Sequence, residues 1–263
     1  MRTVLTIAGS DSGGGAGIQA DVKTFAAYGL HGATAVTAVT AQNTREVTAV
    51  QPVDASVVSA QIGVVLADYD VRVIKTGMLA TAAIIRGIAD ALANHPIRPI
   101  VVDPVLVATS GRGLLDDDGV ELMKSQLLPL AQVATPNRFE AEVLADRPIA
   151  TLDDARQATA RIRSLGVASV VITGGHFDGP DIVDLLDDGQ HYTELRGPRL
   201  HAENTHGTGC TFAAAVAAGL ALDRPLIEAV RDAKHYVEGA IHRSVRFGDD
   251  WAGLRHFWRN EQQ

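Results

Sequence analysis

Residues 4–21 read VLTIAGSDSGGGAGIQAD: a short apolar run, a glycine-rich turn and the opening of a helical segment. So short and continuous an apolar run, bounded by turn residues, reads as a strand buried on both faces. Further runs of the same kind follow in VRVIK (71–75), PIVVD (99–103) and ASVVIT (168–173). Between them the spacing turns helical. Ile84, Ile85, Ile88, Ala91 and Leu92 share one face of 80–94, and Leu152, Ala155, Ala158, Ile162 and Leu165 share one face of 151–165. Strand alternating with helix predicts an α/β chain whose largely parallel sheet is covered by helices on both sides. No repeat, low-complexity linker or charge block interrupts residues 1–263, so one domain is expected.

In such a sheet ligands bind beyond the carboxyl ends of the strands. The polar residues expected to converge there are Gly9, Ser10 and Asp11 after the first run, and Asp103 after PIVV. Asn137 and Glu140 follow a short QVAT stretch, and Gly174 and Gly175 follow VVIT.

Two glycine loops compete for the task of binding a phosphate. In the first, Gly15, Gly17 and Ala20 satisfy the G-x-G-x-x-A spacing of a dinucleotide-binding turn. That reading also needs an acidic residue at the end of the next strand, and AVTAVTAQNT (35–44) supplies only Gln42 and Asn43. The plainer alternative is that these glycines permit a tight turn and the close passage of a helix. The second loop is HGTGC (206–210), followed by the small-residue segment TFAAAVAAGLAL. It lacks the lysine of a P-loop, yet a Gly-Thr-Gly turn feeding a helix aims several N–H groups and the helix dipole at one point.

Cys210, the single cysteine, falls on the first turn of that helix, where a thiol pKa tends to drop; the competing reading is a small packing residue. Asn137 and Glu140 lie three apart, so they could hold a hydrated Mg²⁺ or simply form a capping box. Asp103, ending a buried strand, would be costly without a partner. The nine histidines include no H-E-x-x-H, and His206 stays ambiguous.

Composition narrows the class of partner. The formal net charge is -8, with 23 Lys and Arg residues scattered, which argues against a nucleic-acid surface and for small-molecule ligands. One cysteine excludes an internal disulfide and fits a reducing compartment. The N-terminal apolar stretch is shorter than the ~7–15 residues of a secretory core. No later run approaches the ~20 residues of a membrane span. A cytoplasmic protein without membrane contact is the expectation.

TIAGSDSGGGAGIQAD, AVTAQNT, KTGMLAT, VVDPVLVATSG, ATPNRFEAEVL, VVITGGH and NTHGTGCTFAAA, in this order from about Thr6 to about Gly239, resemble the hydroxymethylpyrimidine/phosphomethylpyrimidine kinases of thiamine biosynthesis, within the ribokinase-like superfamily. The resemblance implies a three-layer α/β/α sandwich, ATP and Mg²⁺, a homodimer, and two successive phosphoryl transfers to 4-amino-5-hydroxymethyl-2-methylpyrimidine. It implies that Asp21 and Gln42 bond the aminopyrimidine and that Gly9 and Met78 line its pocket. Asp103, Asn137, Glu140, Thr173 and Gly175 would serve ATP and Mg²⁺, Glu140 reaching the metal through water. Gly207, Thr208 and Gly209 would form an anion hole, Cys210 would stand where superfamily sugar kinases carry an aspartate base, and VATSGRG (107–113) would be a flap. Thr173 stands where relatives often carry lysine, which keeps a pyridoxal kinase on the same scaffold as the alternative.

Overall fold

The computed structural model describes residues 1–43, 46–93, 95, 99–107, 113–174, 181–200, 206–246 and 252–260. A nine-stranded sheet forms its centre, in the order β3-β2-β1-β4-β5-β6-β7-β8-β9. The strands are β1 (Thr3–Asp11), β2 (His31–Gln42), β3 (Val47–Pro52), β4 (Val71–Thr76), β5 (Ile100–Val102), β6 (Val133–Ala134), β7 (Ser169–Ile172), β8 (Asp181–Asp187) and β9 (Tyr192–Pro198). Strands β2-β1-β4-β5-β6-β7 run parallel, as the alternation of runs and helices predicts. Both edges are antiparallel: β3 folds back on β2, and β8 and β9 extend β7. A hairpin needs no crossover helix, so these edge strands carry none of the signal that marks the centre.

The helices are α1 (Gly17–Ala27), α2 (Ala55–Asp68), α3 (Ala82–Ala93), α4 (Asp117–Leu122), α5 (Arg138–Ala145), α6 (Leu152–Arg163), α7 (Thr208–Ala221) and α8 (Leu226–His242). Successive strand residues point to opposite faces, and the two cores obey that rule. Val73, Val101 and Val171 pack with Phe25 of α1, Phe212 and Val216 of α7, and Val230 and Tyr236 of α8. Ile74, Ile100, Val102, Val170 and Ile172 pack on the other face with α2, α3, α5 and α6. Three layers result.

Helix α7 is buried on nearly every side from Thr211 onward, which its alanines permit. A Cβ on Gly219 would come within 2.7 Å of the Ala229 methyl, so α7 and α8 pack at the closest approach glycine allows.

The chain winds from β1 outward to β2, then returns to lay β4 on the other side of β1. That reversal opens a crevice at the carboxyl ends of β1 and β4, the position at which open α/β sheets bind ligands.

Candidate active site

A cavity of roughly 790 Å³ occupies this crevice and continues along the carboxyl rim of the sheet. Its β1–β2–β4 end is lined by Gly9, Ser10, Asp11, Gln42 and Met78, and its floor by Asp103, Gly207, Thr208, Gly209 and Cys210. The far end carries Asn137, Glu140 and Thr173 from the rim, and Asp184, Lys234 and Glu238 from β8 and α8. Most of the residues expected at the site therefore meet in one volume. Gly175 and residues 108–112 of the expected flap lie outside the described residues, although an antiparallel bridge between Val107 and Gly113 closes the base of that segment.

The two glycine loops touch. Gly207 has a φ of 82°, and a Cβ there would overlap the Gly15 carbonyl. In the first loop a Cβ on Gly17, with a φ of 55°, would overlap the Gly9 carbonyl. These glycines are required by backbone contact.

The Asp11 carboxylate fills the first loop: it accepts the N–H groups of Gly13, Gly15 and Ala16 at 2.8–3.0 Å. Burial works against its charge, but the hydrogen bonds from His206 and these amides outweigh it and hold Asp11 below the usual carboxylate range. The turn that spells a dinucleotide motif has thus already taken up an anion belonging to the chain itself. The second loop leads into α7 with Gly207, which has no capping side chain of its own, at the N-cap, and Gly207, Thr208 and Gly209 face the cavity.

At the floor lies a buried ion cluster, with Lys75 and Asp103 lining the cavity and Asp21 behind them. Lys75 is 0% exposed; its Nζ stands 3.0 and 3.1 Å from the two Asp21 oxygens and 3.6 Å from Asp103 Oδ2. Thr6 donates a further bond to Asp21 at 2.6 Å. The structure thus corrects the expectation for Asp21: its carboxylate is 0% exposed behind the wall and bonded to Lys75 and Thr6, so it braces the cavity without lining it. Burial opposes the Lys75 charge, but the carboxylates of Asp21 and Asp103 more than offset it and hold the ammonium above its ordinary value.

A second correction concerns Cys210. The residue keeps part of its surface open to the cavity, but the packed interior around the sulfur pushes the thiol up to about 12, against the pull of Lys75. The carboxylates of Asp103 and Asp21 add to the rise. Its position on the first turn of α7 does not win; desolvation does. Cys210 stands as a thiol, donating to the Asp103 carboxyl.

Asn137 and Glu140 form the capping box of α5: Asn137 Oδ1 accepts the Glu140 N–H at 3.0 Å, and Glu140 Oε2 accepts the Asn137 N–H at 2.9 Å. Both also line the cavity, so the cap and the site use the same side chains. Burial, followed by repulsion from Asp103, pushes the Glu140 carboxyl up to about 8. No group of three or more His, Cys, Asp or Glu side chains among the described residues is arranged to hold a metal alone. The donor set still fits a hydrated dication, because two mutually repelling carboxyls share the cavity and Asp103 Oδ2 is buried without a hydrogen-bond partner.

A family model described as phosphomethylpyrimidine kinase matches residues 11–254. The chain belongs to the phosphomethylpyrimidine kinase family. It is 50% identical over 259 residues, 97% of each chain, to the hydroxymethylpyrimidine/phosphomethylpyrimidine kinase of Rhizobium meliloti. Among solved structures, the phosphomethylpyrimidine kinase of Clostridium difficile is 39% identical and superposes with a TM-score of 0.82, over 92% of this chain and 100% of that one. An ADP complex of Bacillus subtilis pyridoxal kinase is 37% identical with a TM-score of 0.91, over 99% of both chains. The ribokinase-like fold is thereby shown.

Two features of this family member were not read from the sequence. Lys75 is the one charge facing inward from VRVIK, and a lysine in a fully buried strand was the signal available for it. Lys234, 9% exposed, bonds Asp184 at 2.9 Å, and Asp184 also accepts the Gly174 N–H at 2.6 Å. Lys234 therefore brings a cation to the end of the cavity where Thr173 brings none, from a helix some sixty residues downstream, a distance no local pattern spans.

Proposed function

We propose that this phosphotransferase moves the γ-phosphoryl group of ATP to the alcohol of 4-amino-5-hydroxymethyl-2-methylpyrimidine and then to the monophosphate it has made, as a step of thiamine biosynthesis. One observation carries the reading: Gly207, Thr208 and Gly209 at the start of α7 open into the same cavity as Gly9, Gln42 and Met78.

The pyrimidine sits at the β1–β2–β4 end, bonded by Gln42, and the nucleotide at the end formed by Thr173, Asp184 and Lys234. Gly207, Thr208 and Gly209 lie between them, so the N–H groups and dipole of α7 meet the charge that spreads over the phosphoryl oxygens as it transfers. The alcohol oxygen bonds to phosphorus, the bond to the β–γ bridging oxygen breaks, and ADP leaves. Cys210 takes the alcohol proton as its own passes to Asp103, whose carboxyl burial pushes up and so makes a better acceptor. Asp103 and Glu140 would hold Mg²⁺ through water, with Asn137 beside them; when bound, the ion supplies positive charge against the phosphate oxygens. Glycine at 175 would let the nucleotide approach the backbone. The enzyme acts as one domain and is expected to be a cytoplasmic homodimer, the latter checked by sedimentation; no described helix is long and apolar enough to cross a membrane.

The likeness to pyridoxal kinases and the threonine at 173 favour pyridoxal as the second reading. A mass-resolved time course with ATP and Mg²⁺ tests both. Monophosphate followed by diphosphate of the pyrimidine is expected; ADP release with pyridoxal alone would overturn the proposal.

A further inference from the structure

Gln42 sits between two partners that disagree with it. His206 Nε2 lies 3.0 Å from Asp11 Oδ2 and 3.3 Å from Gln42 Nε2. On the other side, the Thr40 hydroxyl lies 2.9 Å from the Ser10 carbonyl and 3.2 Å from Gln42 Oε1. Asp11 is held as a carboxylate and only accepts, so His206 Nε2 must carry a proton whether the ring is neutral or charged. An N–H cannot then accept from the Gln42 NH₂. The Thr40 hydroxyl has one proton, given to Ser10 at the shorter distance, so it cannot also donate to Gln42 Oε1. Turning the Gln42 amide by 180° resolves both conflicts at once and changes nothing in its shape. Oε1 then takes the lesser share of the imidazole N–H, whose one proton goes chiefly to Asp11 at the shorter distance, and Nε2 donates to the Thr40 oxygen. The backbone cannot drift to allow the other arrangement, because Ser12 Oγ donates to the Gln42 carbonyl at 2.6 Å and accepts its N–H at 2.8 Å.

We infer that His206, anchored by Asp11, is a positioning residue that locks the Gln42 amide in one orientation, and that this lock selects an aminopyrimidine over the corresponding oxopyrimidine. The inference rests on the reading that Gln42 meets the pyrimidine edge. A 4-aminopyrimidine offers an N–H donor beside a ring-nitrogen acceptor; its 4-oxo counterpart offers the reverse pair. One amide orientation complements one pattern only, and the ring cannot turn over without carrying its hydroxymethyl group away from the start of α7. A glutamine free to flip would accept both.

The test compares kcat/KM for the 4-amino and 4-oxo hydroxymethylpyrimidines in wild type, His206→Phe, His206→Gln and Thr40→Val. His206→Phe keeps a ring and removes the N–H; the amino-over-oxo ratio should fall by about tenfold, the order of one misdirected hydrogen bond. The KM for ATP should hold within about twofold. His206→Gln, which can again present an N–H, should restore part of the ratio, and Thr40→Val should lower it from the other side. Loss of activity toward both substrates with the ratio intact would overturn the lock. A second arm needs no substrate: a ¹H–¹⁵N spectrum of the imidazoles, with His206 assigned by its disappearance in His206→Phe. A protonated Nε2 is expected, and a bare Nε2 would overturn the inference. If wild type phosphorylates neither pyrimidine, the proposed function fails while the spectrum still decides the lock.

Discussion

The two glycine loops begin alike and end in opposite electrostatic states. Each opens a helix, and each contains a glycine at positive φ whose Cβ would strike a backbone carbonyl, that of Gly9 for Gly17 and that of Gly15 for Gly207. In the first, Asp11 has already claimed the amides of Gly13, Gly15 and Ala16, so the loop is neutralised from within. In the second, the N-cap is Gly207, which has no side chain to supply an anion, and the turn looks into the cavity. A glycine-rich turn before a helix is thus a capacity for binding an anion, and what decides its use is whether the chain supplies the anion itself.

The comparison breaks most severely at Gly207. Gly207→Ala forces a side chain into a left-handed position against Gly15, displacing the start of α7; a loss in kcat on the order of 100-fold is expected, the scale of removing one transition-state donor. Steady-state kinetics with a melting curve would check it, and near-normal rates would show that the second loop does not hold the transferring group.

Next comes Cys210→Ala. The first transfer starts from an alcohol that must lose a proton, the second from a phosphate already ionised, so the first should slow by about tenfold or more relative to the second. Equal loss in both steps, read by single-turnover mass spectrometry, would make Cys210 a packing residue.

Asp11→Asn tests the filled loop. Asp11 has its folded pKa below the unfolded one, so its stabilisation is present above the unfolded value and is lost as pH falls through the folded one. The variant should melt several degrees below wild type at pH 7, with the gap closing toward pH 3. A constant gap across that range would mean the charge is immaterial.

The smallest effect is expected at Glu140, a carboxyl with no glycine loop to sit in. Its folded pKa of about 8 lies above the unfolded value, so the stability linked to it is full below about pH 4.5 and is lost as pH rises toward 8. In chelator-treated protein, Glu140→Gln should therefore gain a few degrees over wild type at pH 8 and little at pH 5, by thermal melts.

Much of this was legible in the chain. VLTIA, VRVIK, PIVVD and ASVVIT all lie on central strands, and the residues following the first three line one cavity with Thr173 at the end of the fourth, because burial on both faces leaves continuous apolar runs and carboxyl ends share a rim. The antiparallel edges were not legible, since DIVDLLD (181–187) in β8 mixes charge with apolar residues on a strand that needs no helix after it. Asp21 was expected from the resemblance to bond the aminopyrimidine, and its pairing with a lysine fifty-four positions away was not legible.

Local pattern, then, determined where strands, helices and glycine turns lie, because backbone sterics and hydrophobic periodicity act over a few residues. Tertiary structure alone decided which loop was already filled, whether Cys210 is a thiol or a thiolate, and which way the Gln42 amide faces. Those properties depend on desolvation and on single hydrogen bonds between residues as far apart as Asp11 and His206. Charge and proton position are set by such neighbours, and only the folded chain brings them within reach.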